Sequence, residues 1–372
     1  MAHPWSSIAS AKTNCRHFRG DIPCVPHKES GVHCIDDEGV DCTHYEPISA
    51  NILIIKLGAI GDVIRTTPIL HRLKADSPAA RIWWLTNFPG VLPPQVDVVL
   101  PFTAQSAAIL SAVRFDLVLN FDKDREACAL AATLHSRRTK GFILRDGVPH
   151  PADGDAEGKF MTGLFDDISR ENTKSYLQEI FEISGLVFAG EQYVLDSCTS
   201  DGYIWKLPKG KKIVGLNTGC GGRWTTRLWP DQHWIMLARK LKKVGHVPLL
   251  LGGEQEHARN RRLSRESGAR YLGHFPLRQF INLVDQCDLV VTAVTMAMHI
   301  TIGLGKKIVL FNNIFNRNEF ELYGLGNVIE PEAGCTCYYA PRCTNPAFAP
   351  RSCMKTIRAQ TVFESCERLL AS

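Results

Sequence analysis

Through its first 46 residues the chain shows neither the 3.6-residue period of an amphipathic helix nor the alternation of a half-buried strand. From Asn51 this changes. Ile52-Leu53-Ile54-Ile55 is a short β-branched apolar run, and Gly58-Ala59-Ile60-Gly61-Asp62 follows it. Val63, Ile64, Pro68, Ile69, Leu70 and Leu73 then recur at helical spacing, which predicts strand, glycine-rich turn and helix. Further strands are predicted at 81–86, 96–100, 115–120 and 138–144, with helices over 104–113 and 123–135. The pattern loosens over 145–170 and returns as one helix over 173–184. A Ser-, Gly-, Pro- and Lys-rich stretch at 196–212 reads as a linker. A second unit follows, with strands at 213–217, 247–251, 288–292 and 307–311 and helices at 230–244, 254–267 and 295–304. Strands alternating with helices imply parallel sheets covered on both faces. The predicted fold class is α/β: two Rossmann-like domains facing a cleft, with ligands at the strand C-termini. The predicted boundaries are a Cys-rich arm (1–46), a first domain (47–195), a second domain (196–325), and a Cys-containing loop with a C-terminal helix (326–372).

Composition narrows the function classes. The 372 residues are 45% hydrophobic and 22% charged, which is ordinary for a folded globular chain. The balance of 43 basic to 38 acidic residues is too even for a dedicated nucleic-acid binder. Residues 1–14 contain no apolar stretch of the kind that opens a secretory signal, and 289–305 is too short for a membrane span. A cytoplasmic protein is expected.

Two turns carry candidate chemistry. In Lys56-Leu57-Gly58-Ala59-Ile60-Gly61-Asp62 an acid stands where strand passes into helix. Asp62 either caps the helix or acts in catalysis. The spacing is not the GxGxxG of a dinucleotide site, and no acid ends the second strand, which disfavours an oxidoreductase. The second unit opens with Asn217-Thr218-Gly219-Cys220-Gly221-Gly222-Arg223-Trp224-Thr225-Thr226-Arg227-Leu228-Trp229-Pro230. Glycines, hydroxyls and arginines directly before a helix suit a diphosphate. Leu250-Leu251-Gly252-Gly253-Glu254 again ends a strand, with a carboxylate that either meets ribose hydroxyls or simply starts a helix.

In their order these motifs resemble the family 9 glycosyltransferases, the ADP-heptose:lipopolysaccharide heptosyltransferases and their relatives. The stretches concerned are IIKLGAIGDVIRTTPIL at 54–70, NTGCGGRWTTRLWPDQHW at 217–234, LLLGGEQEHARNRRL at 249–263 and LVVTAVTMAMHITIGLGKKIVLF at 289–311. The resemblance implies a GT-B fold and inverting, metal-independent transfer from a nucleotide-diphosphate sugar, with no cofactor for catalysis. It places the catalytic base at Asp62 and donor-binding roles at Arg227, Glu254, Thr295 and His299, to which the hydroxyl-bearing turn adds Thr218. ADP-heptose is the favoured donor, and a surface glycan or lipid-linked molecule the acceptor. One departure stands out. The family's DTGPMH-like stretch is here Val294-Thr295-Met296-Ala297-Met298-His299, without the acid. That absence motivates the rival reading of a non-catalytic nucleotide-sugar binding or scaffold protein.

The chain's 13 cysteines are unevenly placed. Cys15, Cys24, Cys34 and Cys42 form one window, interleaved with His17, His27, His33 and His44. Cys335, Cys337, Cys343 and Cys353 form another, in a proline-containing loop. Either set could hold a structural Zn²⁺, with iron or an iron–sulfur cluster as the less favoured occupant. The arm in particular lacks the apolar residues to offset its ordering entropy and requires a staple. The arginines at 259, 261, 262, 265 and 270 form a basic helix face, either solvated or in peripheral contact with the cytoplasmic face of the inner membrane.

Overall fold

The computed structural model describes residues 11–34, 42–222, 224–332, 335, 337–348 and 352–371. Parts of the expected arm, 1–10 and 35–41, lie outside the described residues. What remains of the arm holds one short helix, α1 (Val25–Ser30), with Pro26 in its first turn where a missing N–H costs nothing. Its staple is polar. The Arg16 amide donates to the Glu46 carbonyl at 2.8 Å and that of Ile48 to the Asn14 carbonyl at 2.9 Å. The Arg16 side chain pairs with Asp97 and donates to the Ala80 carbonyl at 3.0 Å.

In the first domain β1 (Ala50–Ile55) is the central strand, buried on both faces. Leu53, Ile54 and Ile55 are 0% exposed, and each such side chain contributes about 1.5–3 kcal/mol by leaving water. The chain continues through α2 (Ile60–Ile64), α3 (Ile69–Asp76), β2 (Ala80–Thr86), β3 (Val98–Pro101), α4 (Ala104–Ser111), β4 (Leu117–Asn120), α5 (Arg125–Thr133) and β5 (Thr139–Arg145). The sheet order is β3-β2-β1-β4-β5-β6, parallel except for β6 (Val148–Pro151), which hairpins antiparallel onto β5. The stretch where the sequence pattern loosens contains β6, α6 (Glu157–Leu164) and α7 (Asp166–Glu171). α8 (Tyr176–Ile183) follows, started by a capping box between Ser175 and Gln178.

The second domain runs β7 (Ile213–Asn217), α9 (Asp231–Lys243), β8 (Val247–Leu251), α10 (His257–Ser267), α11 (Leu277–Asp285), β9 (Leu289–Ala293), α12 (Met296–Gly303), β10 (Lys307–Phe311), β11 (Gly326–Ile329) and α13 (Ala359–Ala371). Its all-parallel sheet has the order β11-β10-β9-β7-β8. Two features differ from expectation. Residues 326–372 are no separate appendage, because β11 extends the second sheet and α13 packs on α9 and β10. The Trp229 indole, 1% exposed, donates to the Ile357 carbonyl at 2.9 Å and ties that return together. The amphipathic helix α11 was not anticipated; its buried face is Phe280, Ile281, Leu283 and Val284.

The domains meet at the tips of two helices that follow strands. α2 packs on α12, and one apolar cluster contains Val63 and Ile64 of the first with Ala297 and Ile300 of the second. The approach is close: a Cβ on Gly61 would stand 2.5 Å from His299 Cδ2. Any side chain at this position would force the imidazole or the joint to shift.

Candidate active site

A cleft of about 610 Å³ opens at the C-terminal edge of the second sheet, with Ile60 of the first domain on its other wall. Its floor is the 217–221 turn after β7, the Gly253–Glu256 turn after β8, and the start of α12 at Thr295, Met296 and Ala297. Phe275, Leu277 and Phe280 form an apolar wall. Such a combination, an apolar wall with convergent polar groups, is typical of a small-molecule site.

Arg227 is the cation of this cleft. Its guanidinium donates to the Cys220 carbonyl at 2.5 Å, to the Trp224 carbonyl at 3.4 Å and to the Val294 carbonyl. No carboxylate pairs with it among the described residues. Burial lowers its pKa from the usual arginine value, although a guanidinium remains charged at any ordinary pH. A charge desolvated without a counter-ion is costly, and a bound anion would relieve that cost.

Thr295 occupies the residue before α12, yet its hydroxyl does not cap the helix. It lies 3.2 Å from Thr292 Oγ1 and 3.3 Å from Asn217 Nδ2, leaving the first amides of α12 facing the cleft. The start of α9, also expected to face a diphosphate, is already occupied. Asp231 there pairs with Arg259 and Arg262, and Arg259 Nη1 donates to the Thr218 carbonyl at 2.7 Å. Two arginines of the basic helix face are thereby held in ion pairs, Arg259 half-buried and Arg262 still exposed.

The other sequence-derived donor residues are placed as follows. Thr218 is 2% exposed and donates its hydroxyl to Asn260 Oδ1 at 2.6 Å, away from the cleft. Glu254 lines the cleft and is exposed. Glu256, which sequence reasoning passed over, reaches further in. It accepts from the Gly253 amide at 3.0 Å, and a Cβ on Gly219 would stand 2.3 Å from its Oε1. His299 does not line the cleft. It is 6% exposed, with Nδ1 3.3 Å from the Tyr193 hydroxyl and its ring against Gly61. Burial, reinforced by the Arg65 charge, lowers its pKa to about 3, so it stays neutral at the domain joint.

Asp62 sits in the first turn of α2, its side chain 33% exposed. It caps its own helix, accepting from the Ala59 amide at 3.1 Å, and pairs with Arg65 at 2.7 Å. Arg65 in turn lies over the Tyr176 ring at 3.4 Å. Beneath, buried Lys56 pairs with Asp122, which also accepts from the Leu57 amide. Burial works to raise the Asp62 pKa, but Arg65 and then Lys56 outweigh it and hold the carboxyl at about 2. Arg65, Lys56, Asp122 and Tyr193 were missed from sequence. Lys56 and Arg65 flank the GD turn and could have been found as charges placed inside an otherwise apolar strand-to-helix unit.

Neither cysteine window closes around a metal-sized point. Among the described residues no three or more His, Cys, Asp or Glu side chains are grouped so as to hold an ion as they stand. Cys15 is buried, its backbone bridging to Pro47, and Cys24 and Cys34 line a small cavity with His27 and His33. Among the described residues no helix is long and apolar enough to cross a membrane.

Two Rossmann-like domains facing a cleft, with an unpaired arginine in its lining, have the architecture of the GT-B fold. Residues 191–314 match the model of the family described as glycosyltransferase family 9 (heptosyltransferase), and the chain is a glycosyltransferase carrying that family's domain. Among solved structures, the family 9 glycosyltransferase of Veillonella parvula is similar at a TM-score of 0.65 and 17% identity, covering 88% of this chain and 98% of that one. The ADP-heptose lipopolysaccharide heptosyltransferase II of E. coli gives 0.62 and 16%, covering 86% and 98%. The iron-containing dodecameric glycosyltransferase TibC of enterotoxigenic E. coli gives 0.54 and 13%, covering 87% and 79%. No curated protein matches the sequence significantly.

Proposed function

We propose that this protein moves a sugar, heptose from ADP-heptose, onto a surface-glycan or lipid-linked acceptor, with inversion at the anomeric carbon and no metal in the transfer step. The observation that carries this reading is the uncompensated Arg227 guanidinium beside the open start of α12. The named activity of the E. coli neighbour favours ADP-heptose as the donor.

The chemistry balances with the residues present. The acceptor oxygen forms its bond to the anomeric carbon as the bond to the diphosphate oxygen breaks. Its proton passes to Asp62, and the electron pair leaves on the nucleoside diphosphate. Arg227 and the α12 amides meet that growing charge, the role a divalent cation fills elsewhere. A carboxyl near pKa 2 is a weak base towards a free hydroxyl. It suffices where the proton leaves late, because an oxygen already bonded to the sugar carbon is a strong acid. His299 in this reading positions the domain joint and does not bind the donor.

Val294 in place of the family's acid favours the scaffold alternative only weakly. The Arg227 guanidinium is anchored there by the main-chain carbonyl, which any residue supplies. The test is ADP release from ADP-heptose in the presence of acceptor, for the wild type and Asp62→Ala. The expected result is turnover by the wild type and a loss of about 10²–10⁴-fold in the variant, with ADP affinity unchanged. Turnover retained in Asp62→Ala would remove the base assignment; no turnover in the wild type, with ADP still bound, would favour the scaffold.

A further inference from the structure

The second cysteine window is unlike the first. Cys335 and Cys337 lie in the loop after β11, Cys343 six residues on, and Cys353 at the start of the single turn that leads into α13. The thiols form a continuous chain. Cys343 Sγ stands 3.7 Å from Cys337 Sγ. The Cys337 amide donates to Cys335 Sγ at 3.2 Å, and the Cys335 and Cys353 thiols are hydrogen-bonded to each other. Two outer donors turn in on the same sulfurs: the Thr344 amide onto Cys337 Sγ at 3.1 Å, and Asn313 Nδ2 onto Cys353 Sγ at 3.7 Å.

The spacing discriminates between the uses of such thiols. A disulfide needs its sulfurs about 2.0 Å apart. Two thiolates on one tetrahedral zinc, each at about 2.3 Å, stand about 3.8 Å from each other. The Cys337–Cys343 pair is at that edge length. Amide donors aimed at sulfur are what a metal-bound thiolate retains around it. The loop has its own need of a staple, since between Cys335 and Cys353 it carries Pro341, Pro346 and Pro350 and forms neither a strand nor an α-helix among its described residues.

We propose that Cys335, Cys337, Cys343 and Cys353 bind one thiophilic divalent cation of the zinc or ferrous-iron class, and that this site braces the loop carrying Arg227. The ion gathers two thiol pairs that do not yet close around one point, and each thiol that ligates releases its proton to solvent. The brace runs through few atoms. Asn313 Nδ2 donates both to Cys353 Sγ and, at 3.0 Å, to the Thr226 carbonyl; Ser352 Oγ donates to that same carbonyl. Thr226 is the residue before Arg227, so fixing Cys353 fixes the chain from which the guanidinium projects.

The metal half of this proposal is independent of the sugar-transfer reading, whereas the brace rests on it. Elemental and acid-labile sulfide analysis of the full chain, purified from zinc- and iron-supplemented cultures, tests the first. About one zinc or iron per chain without sulfide is expected, retained in Cys15→Ser and lost in the Cys337→Ser/Cys343→Ser double variant. Less than about 0.1 ion per wild-type chain, stoichiometric sulfide, or unchanged content in the double variant overturns it. Should the double variant not fold, native thiol labelling of the wild type decides. Chelation should expose these four cysteines to reagent, and labelling that chelation does not alter refutes the site. For the brace, chelation should weaken ADP binding about tenfold. Unchanged ADP affinity removes the brace. A metal-loaded protein that binds no ADP at all removes the donor reading instead and leaves the metal site standing.

Discussion

The two domains that flank the cleft handle buried charge in opposite ways. On the first domain every charge near Asp62 has a partner: Asp62 with Arg65, and Lys56 with Asp122. On the second, Arg227 is surrounded by carbonyls that satisfy its hydrogen bonds but leave its charge uncompensated. A paired site is already complete and holds a fixed protonation state. An unpaired one is completed by its ligand. In the proposed reading this asymmetry suits an anionic donor on the second domain and a proton acceptor on the first.

The most damaging change on this view, after removal of Asp62 itself, is Arg227→Ala. It should cost about 10²–10³-fold in kcat, as loss of one transition-state donor does elsewhere, and weaken ADP binding as well. Arg227→Lys should recover part of the affinity, since it restores the charge without the fork that spans three carbonyls. Steady-state kinetics and ADP titration read both. If Arg227→Ala binds ADP as the wild type does, the unpaired cation is not the donor anchor, and the contrast between the domains loses its meaning.

A smaller effect is expected where the domains touch. Gly61→Ala puts a methyl group 2.5 Å from His299 Cδ2, so either the ring or the α2–α12 joint must shift. Overpacking of this kind costs about 1–3 kcal/mol, visible as a lower midpoint in thermal unfolding. A variant as stable as the wild type would show that the joint has slack and that His299 does not set the distance between the domains.

The alternation that gives the two sheets was legible because parallel strands buried on both faces must be apolar and β-branched, as Ile52–Ile55 and Ile213–Val214 are. The turns were legible for the same reason: strand ends and helix starts fix where Asp62, Arg227 and Glu254 stand. Orientation was not. Thr218 looked like a phosphate hydroxyl and instead serves Asn260, because a one-residue alternation at a strand exit decides which side of the turn a side chain takes. His299 is one turn into α12 on the face that meets α2, and only the packing of the domains shows this. The basic helix face is solvated as its sequence suggests at Arg261, Arg262, Arg265 and Arg270, but Arg259 turns inward to Asp231, 28 residues upstream, a contact that the sequence does not show.

The smallest and most specific prediction concerns pH. Asp62 is depressed below the ordinary carboxylate value, chiefly by Arg65 acting against burial. Its contribution to stability is therefore complete above the unfolded value near 3.8 and is lost as pH falls through about 2. For the same reason the wild-type kcat/KM should show no acid limb from Asp62 at any pH where the fold survives. Arg65→Met removes the larger of the two cations while burial remains, so the carboxyl should titrate at about 4–6 and an acid limb should appear there, with little change at pH 8. His299 supplies a built-in reference. Its folded value of about 3 lies below its unfolded 6.5, so the unfolded chain takes up that proton first and stability falls as pH drops from 6.5 towards 3. With the Arg65 charge gone this stability loss should shrink, because that cation adds to the cost of protonating His299, while burial keeps most of it. Thermal midpoints and kcat/KM measured from pH 4.5 to 9 separate the two effects. Identical rate profiles in the two proteins would mean that the Asp62–Arg65 pair is structural, and that the proton leaves the acceptor by another route.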